Sequence, residues 1–138
     1  MAKGSSIDTA RKFFKEVWQS PPNLEALDGL VVEDFVFITG GHAIEGREAF
    51  KKWAKGFIAA IGSLQLEVVE SFENRDGSRV ASTWRLTGTN NGAFGTEPDG
   101  SPIEMTGSAI MAVRDDGMLL PNRVERNAFE VYKHLTAR

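Results

Sequence analysis

The sequence predicts an α+β fold in which a curved antiparallel sheet forms a cone and the N-terminal helices cover one of its faces. The helical patterns come first along the chain and the long strand patterns come last, an order typical of α+β proteins. The three strands predicted within residues 79–130 are each about twice the usual length of five to six residues. Strands of that length form a strongly curved sheet, and a curved sheet can enclose a pocket.

Length and composition set further limits. A chain of 138 residues is expected to form one domain, covering residues 1–138. It has no cysteine, which excludes disulfides, thiolate metal sites and a cysteine nucleophile. Residues 1–14 show no apolar run before the first helical pattern, and no window approaches 18 consecutive apolar residues. We therefore expect neither a signal peptide nor a membrane span, and a cytoplasmic location.

Charge and residue spacing argue against several kinds of partner. The net charge is −3 and both signs are interspersed, which predicts a solvated surface rather than a nucleic-acid-binding patch. The two histidines lie far apart, and no carboxylates cluster at the spacing of metal ligands. We expect no nucleic-acid or membrane partner, no metal and no cofactor.

Three helices are predicted ahead of the long strands. The first covers residues 5–20, with Ser5 or Ser6 as N-cap and Asp8 in its first turn. A short second helix covers residues 23–30, and a third covers residues 46–61. The two longer helices each have one apolar face, formed by Ile7, Ala10, Phe13, Phe14, Val17 and Trp18 in the first and by Ala49, Phe50, Trp53, Phe57, Ala60 and Ile61 in the third.

Strands account for most of the remaining chain. Two short strands flank a tight turn at Gly40-Gly41, and four long strands follow the third helix. The loop at residues 91–101 is rich in Gly and Pro, and a short helix is predicted for the tail, residues 131–138. The predicted strands cover residues 35–39, 42–45, 64–74, 79–90, 102–114 and 118–130.

Three stretches of sequence carry a family pattern. They are TWRLTGTNNGAFG at residues 83–95, PDGSPIEMTGSAIMAVRDDG at residues 98–117 and GMLLPNRVERNAFEVYKHL at residues 117–135. Together with the order of the elements, they resemble the SnoaL-like branch of the NTF2-like superfamily over nearly the whole chain. The resemblance implies a conical, cystatin-like α+β barrel with an internal pocket, usually dimeric through the outer sheet face. Members include polyketide cyclases, steroid isomerases, dehydratases and epoxide hydrolases.

The chain departs from the family at its acid/base positions. The Asp that serves the cyclases on their last strand corresponds to Asn127, and the family's Gly-Thr-His has its His at Asn90. A large aromatic residue often lies four positions before that Asp, where this chain has Arg123. Because an amide exchanges no proton near neutral pH, the cyclase machinery does not carry over. What the resemblance implies for these three residues is a role in orienting or polarising a substrate.

Two other branches of the family fit no better. The epoxide hydrolases need an Asp-Arg-Asp set, and although Arg85 lies on a suitable strand, Thr87 stands where the second Asp belongs. The dehydratases and isomerases use a tyrosine in the pocket. The only tyrosine here, Tyr132, belongs to the predicted tail.

Alternation along the last strand places Arg123, Glu125 and Asn127 on one face. Because Asn127 matches a pocket position of the family, that face is expected to line the pocket, with Glu125 as the best remaining general base. The Arg–Glu pair could then orient a polar substrate. The alternative is a salt bridge on the outer face, where charged strand residues usually lie. A single bulge would exchange the two faces.

Four more residues are candidates for the pocket. His42 follows the tight turn, where its imidazole could reach the mouth and move a proton, unless it is simply an exposed turn residue. Trp84 is expected either in the pocket wall or in the core. Phe50 and Trp53 belong to an aromatic stripe that is expected to be core and that can also wall an apolar cavity.

Two functions remain open from the sequence. The first is an enzyme that isomerises, cyclises, hydrates or hydrolyses a small apolar molecule with a carbonyl or hydroxyl group, with Glu125 or His42 moving the proton. The second is a non-catalytic module of the same fold that holds a ligand or a partner. Apolar residues on the long strands also predict a homodimer, because an exposed apolar sheet face is costly.

Overall fold

The computed structural model describes residues 5–137 and confirms the α+β class. Met1 to Gly4 and Arg138, the last residue of the predicted tail helix, lie outside the described residues. In chain order the elements are α1 (Ser6–Val17), a 3₁₀ helix (Leu24–Gly29), β1 (Val36–Thr39), β2 (His42–Glu45), α2 (Arg47–Ala59), β3 (Ile61–Glu73), β4 (Arg79–Asn90), a 3₁₀ turn (Ala93–Gly95), β5 (Pro102–Val113), β6 (Leu119–Arg126) and α3 (Ala128–Thr136).

The strands form one curved, unclosed sheet of six strands in the order β2-β1-β6-β5-β4-β3. The four long strands pair antiparallel, as predicted. β1 and β6 pair in parallel, which the sequence did not indicate. Most of the chain lies between these two strands, and a parallel pair needs such a long connection. Within residues 5–137, no helix is both long enough and apolar enough to cross a membrane.

Both long helices follow their sequence signals. The Oγ of Ser5 accepts a hydrogen bond of 3.0 Å from the backbone N–H of Asp8, which caps α1, and the Asp8 carboxylate lies in the first turn. α2 begins after Gly46, whose φ of 102° suits a glycine. Each helix buries one face against the sheet, with Ala10, Phe13, Phe14 and Val17 from α1 and Phe50, Ala54 and Ile58 from α2.

An aromatic cluster fixes the helices on the sheet. The ring of Phe50 lies 4.8 Å from that of Phe37, 5.3 Å from that of Phe35 and 5.9 Å from that of Phe13, between centres. These spacings are those of favourable aromatic pairs. Because Phe13, Phe35 and Phe50 are fully buried, the cluster sets how closely α1 and α2 approach the start of the sheet.

A β-bulge in β6 determines which of its side chains point into the cone. Between the pairs Met111–Asn122 and Val113–Leu119, two steps along β5 oppose three steps along β6. The extra residue falls at Leu120-Pro121, and Pro has no N–H to give to a sheet ladder. Leu119 and Asn122 are therefore both buried although they are three positions apart, and the alternation continues from Asn122 through Val124 to Arg126.

The last predicted strand is also shorter than expected. β6 ends at Arg126 rather than at residue 130, and α3 begins at Ala128 instead of residue 131. Asn127 leaves the extended conformation with φ −84° and ψ 45°. Its Oδ1 accepts a hydrogen bond from the backbone N–H of Thr106 at 3.0 Å, which ties the end of β6 to β5.

Candidate functional site

A cavity lies between α1, α2 and the inner face of the sheet, inside the cone. Its wall is made of aromatic and aliphatic side chains, together with one amide and one guanidinium group. The residues that line it are Phe14, Trp18, Phe37, Trp53, Phe57, Leu66, Trp84, Leu86, Met105, Asn122, Val124 and Arg126.

The cavity is narrow in this conformation. It leaves about 20 Å³ for the centre of a water molecule, which is room for about one water. The space between its walls is about 380 Å³ when the solvent at the open mouth is included. A ligand the size of an aromatic ring system therefore requires the side chains of the wall to move apart.

Arg126 is the one charged residue among those that line the cavity. Its guanidinium carbon lies 4.9 Å from the ring centre of Phe57, 5.7 Å from that of Trp53 and 5.8 Å from that of Phe94. Within residues 5–137 it forms no ion pair with a carboxylate. Burial lowers the pKa of the Arg126 guanidinium below its ordinary value. A guanidinium group remains cationic at neutral pH in proteins.

Asn122 supplies the second polar group of the wall. The residue is 1% exposed, and its Oδ1 has no hydrogen-bond partner in the described part of the chain. A buried acceptor left without a partner costs about 1–3 kcal/mol. A hydroxyl or water that enters the cavity could remove that cost by donating to Asn122.

Gly107 makes room for Trp84 next to Arg126. The sheet register places Arg126, Gly107 and Trp84 in one row across β6, β5 and β4. A Cβ at Gly107 would lie closer than 3.0 Å to both the Trp84 ring and the backbone carbonyl oxygen of Glu125. The Trp84 indole therefore lies over the glycine, and it forms part of the cavity wall.

The loop between β4 and β5 is organised by Asn90. The Nδ2 of this buried side chain lies 2.8 Å from the carbonyl oxygen of Glu97 and 3.0 Å from Thr96 Oγ1. Its Oδ1 accepts hydrogen bonds from the backbone N–H groups of Gly92 and Ala93 at 3.0 and 2.8 Å. The donor and acceptor groups of the Asn90 side chain are thus all bonded within the loop.

The same loop presents Phe94 to the mouth of the cavity. Phe94 has a φ of 56°, in the left-handed region that a bulky side chain rarely adopts. Its ring centre lies 6.4 Å from that of Phe57, and the ring covers Arg126 from the outside. A strained backbone position therefore holds an aromatic ring against the charged group.

An open groove of about 600 Å³ lies on the other side of this wall. It shares Trp53, Phe57 and Arg126 with the cavity, so these three side chains separate the interior from the outside. The other residues that line the groove are Ala49, Lys52, Gly56, Ala60, Ala93 and Phe94.

A family model described as a SnoaL-like domain matches residues 10–120. The chain belongs to this family. The match confirms the resemblance seen in the sequence, and it ends within β6, before Asn122 and Arg126. No curated protein matches the sequence.

Solved structures of SnoaL-like and NTF2-like proteins share the fold. A candidate SnoaL-like polyketide cyclase from Jannaschia sp. CCS1 is 20% identical, with a TM-score of 0.87 over 96% of this chain and 92% of that chain. IdmH, a candidate polyketide cyclase from Streptomyces antibioticus, is 22% identical, with a TM-score of 0.81 over 96% and 99%. An NTF2-like protein of unknown function from Exiguobacterium sp. 255-15 is 18% identical, with a TM-score of 0.70 over 86% and 98%.

The expected orientation of the last strand is corrected by the structure. Arg123 and Glu125 are exposed on the outer face of β6, and Asn127 lies just beyond the strand, bonded to Thr106. The predicted face rested on Asn127 as a pocket position of the family, but Asn127 lies beyond the end of β6. After the bulge at Leu120-Pro121, Asn122, Val124 and Arg126 are the residues that face inwards. None of these three residues lines the cavity, and Arg123 and Glu125 do not form an ion pair with each other in the described residues.

Two other predicted site residues also lie away from the cavity. His42 is exposed at the start of β2, opposite Thr39, and its imidazole is not part of the cavity wall. Asn90, the counterpart of the family's His, is buried in its own loop rather than directed at the cavity.

The predicted aromatic residues lie at or directly behind the cavity. Trp53 and Trp84 are part of its wall. Phe50 is fully buried behind the wall, with its ring centre 6.3 Å from that of Trp53. The aromatic stripe of α2 thus contributes Phe50 to the core and Trp53 to the cavity wall. Phe57, which was expected to be core, lies at the mouth of the cavity.

The sequence did not single out Asn122 and Arg126. The prediction placed Arg123, Glu125 and Asn127 on the pocket face, which left Asn122 and Arg126 on the opposite face. One signal could have identified them, because Pro121 falls inside the strand pattern and Pro within a strand marks an edge or a bulge.

Proposed function

We propose that this SnoaL-like chain binds a small, largely apolar molecule with a carbonyl or hydroxyl oxygen in the cavity between its helices and its sheet. The composition of the wall carries the proposal. Ten of its twelve residues are apolar, and the two polar ones, Asn122 and Arg126, lie on the same face of β6. Small-molecule sites combine apolar walls with a few polar groups in this way.

Asn122 is the group we expect to contact the ligand oxygen. Its buried Oδ1 has no partner in the described chain, so it can accept a hydrogen bond from a ligand hydroxyl. Rotation of the amide by 180° would instead present Nδ2, which donates to a carbonyl oxygen. Either contact satisfies a buried polar group that is otherwise unpaired, which makes binding more favourable.

The chemistry of the wall supports holding a ligand rather than moving protons. It contains no carboxylate, imidazole, thiol or phenol among its described residues, and these are the side chains that usually serve as acid or base near neutral pH. Glu125 and His42, the residues predicted to move a proton, do not line the cavity. We therefore favour the binding function over the proposed enzyme.

One observation keeps a catalytic function as a second candidate. Arg126 is an unpaired cation in an aromatic, nearly dry cavity, and such a group stabilises negative charge that develops on a substrate oxygen. An isomerisation or cyclisation through an enolate would use it in this way. Solvent or the substrate itself would then have to carry the proton, because the wall has no group to do so.

Isothermal titration calorimetry with 2-acetylnaphthalene, a neutral aromatic ketone, tests the proposed binding. We expect saturable binding, and an Asn122→Ala variant should bind about five- to tenfold more weakly because one hydrogen bond is lost. Asn91→Ala is the matched control, since within the described residues this exposed amide donates to the carbonyl oxygen of Ala59 at the end of α2. No saturable heat, or equal affinity for the wild type and Asn122→Ala, would contradict the proposal.

We also propose that the chain forms a homodimer through the outer face of the sheet. Phe72 and Ile110 are 59% and 50% exposed, and Ala81 lies between them in one row across β3, β4 and β5. This row gives the outer face an apolar strip. A second copy of the chain that covered the strip would remove it from water.

A further inference from the structure

We propose, resting on the ligand site proposed above, that the ligand carries a carboxylate that pairs with Arg126. Its unsaturated body passes between Trp53 and Phe57 into the cavity. The ligand class is thus an aromatic or polyunsaturated monocarboxylate, rather than a neutral ketone or alcohol.

The first step is the contrast between Arg126 and other arginines of the chain. Arg47, Arg85 and Arg114 each lie within 4.0 Å of a carboxylate oxygen. Arg126 has no such partner within residues 5–137, although it lies deeper than Arg85 and Arg114, whose side chains are about half exposed. Arg126 is half-buried, and the partial removal of a charge from water without a partner is costly. A ligand carboxylate would supply the missing partner.

The second step is the local sign of the charge. The groove outside the wall is lined by Lys52 and Arg126, and no carboxylate is among its lining residues. Lys52 has no ion pair in the described chain either. The chain as a whole has a net charge of −3, so this entrance is positive on a protein that is negative overall. Such a local field attracts an anion.

The third step is the geometry of the guanidinium group. Aromatic rings of Phe57, Trp53 and Phe94 surround it at 4.9–5.8 Å. The N–H groups of a guanidinium form a planar fork that matches the two oxygens of a carboxylate. The rings also restrict the side chain, so it loses less freedom when it binds. One guanidinium balances a single negative charge, which favours a carboxylate over a phosphate dianion.

The fourth step is the path into the cavity. Three side chains border both the groove and the cavity: Trp53, Phe57 and Arg126. A ligand that enters the cavity here passes Arg126, and its carboxylate can stay bound to Arg126 at the mouth. Asn122 lies four residues before Arg126 on the same face of β6, about 13 Å along the strand. The ligand that uses both groups is therefore elongated, with a carboxylate at one end and an oxygen function towards the other.

Calorimetry with two matched probes tests this inference. 2-Naphthoate and 2-acetylnaphthalene share one ring system and differ in charge. We expect the wild-type protein to bind 2-naphthoate about ten- to a hundredfold more tightly, the range of a charge-assisted hydrogen bond. Arg126→Met should remove this preference, so that its affinities for the two probes differ by less than about threefold. Arg123→Met is the control, since it removes the same charge from the same strand on the outer face.

The outcomes separate the two proposals. If neither probe binds the wild type, both the proposed function and the carboxylate assignment are overturned. If both probes bind with equal affinity, the cavity binds ligands but the carboxylate assignment is wrong. A preference for 2-naphthoate that survives in Arg126→Met, or that disappears equally in Arg123→Met, also overturns the assignment. Far-UV circular dichroism and a thermal unfolding midpoint close to that of the wild type show that Arg126→Met is folded.

Discussion

At the scale of single residues, Asn90 illustrates how one buried amide can hold a loop together. It binds the loop after β4 from within, through Gly92, Ala93, Thr96 and Glu97. An imidazole could not reproduce that set, because an amide offers two donor hydrogens on Nδ2 and an acceptor oxygen, both carried by Cγ. The side chain therefore stabilises the loop that holds Phe94 over Arg126.

This role predicts a measurable loss of stability. Asn90→Ala should lower the free energy of unfolding by about 1–3 kcal/mol, because the buried backbone groups of the loop lose their partner. Asn91→Ala, which removes one exposed hydrogen bond to Ala59, should cost less than about 1 kcal/mol. Urea denaturation measures both values. Equal losses for the two variants would contradict the role given to Asn90.

Gly107 offers a second test at a single position. Gly107→Ala should destabilise the protein by about 1–3 kcal/mol, because a methyl group would overlap the Trp84 ring. It should also change the tryptophan fluorescence. Gly56→Ala is the control, since its Cβ would meet nothing within 4 Å, and in helix α2 this change should stabilise by about 0.4–1 kcal/mol. A neutral effect at Gly107 would show that the indole does not lie where the structure places it.

The sequence predicted the location of site residues whose burial follows from the hydrophobic pattern of their own helix or strand. The aromatic face of α2 identified Trp53, and the alternation of β4 identified Trp84. Asn122 and Arg126 could not be found in the same way. Their inward direction depends on the bulge at Leu120-Pro121, directly before Asn122, and an amide or arginine on a strand is ordinarily solvent-exposed.

At the scale of elements, the orientation of β6 decides the site. With the bulge at Leu120-Pro121, Asn122, Val124 and Arg126 face the cavity, while Arg123 and Glu125 face outwards. Without it, every assignment is reversed, because a shift of one residue moves each side chain to the other face. The sequence predicted the presence of the long strands and the bounds of β4 and β5 well, since their hydrophobic patterns are local, but it made β6 too long.

Cysteine labelling tests this orientation directly, because the natural chain has no cysteine. Single variants Arg123→Cys and Glu125→Cys should react with a maleimide reagent at the rate of an exposed thiol. Val124→Cys, which replaces a side chain that is 6% exposed, should react at least about tenfold more slowly under native conditions. Fast labelling at position 124 with protection at positions 123 and 125 would restore the original prediction of the pocket face.

At the scale of the whole molecule, the order of helices and strands was enough to predict the cone. Helix caps, turn glycines and alternating strands all indicated the same architecture. A fold can be predicted from one sequence when such independent local signals agree. The parallel contact between β1 and β6 was not predictable in that way. It joins segments far apart in the chain, and no local pattern records which strands become neighbours.

The outer face of the sheet predicts the state of assembly. Light scattering at micromolar concentration should show a dimer for the wild type and a monomer for Ile110→Glu, because a charge would be buried in the apolar interface. Ala59→Glu adds the same charge at the exposed end of α2 and should remain dimeric. A monomeric wild type, or dissociation of both variants alike, would contradict an interface on this face.

The central claim is that the inward face of β6 binds a ligand through Asn122 and Arg126. A crystal structure of the protein with 2-naphthoate tests it most directly. We predict density between Trp53 and Trp84, with the carboxylate within about 3.2 Å of the Arg126 guanidinium and the rings inside the cavity. Density on the outer face beside Arg123 and Glu125, with the cavity still closed by Phe57 and Arg126, would contradict the claim.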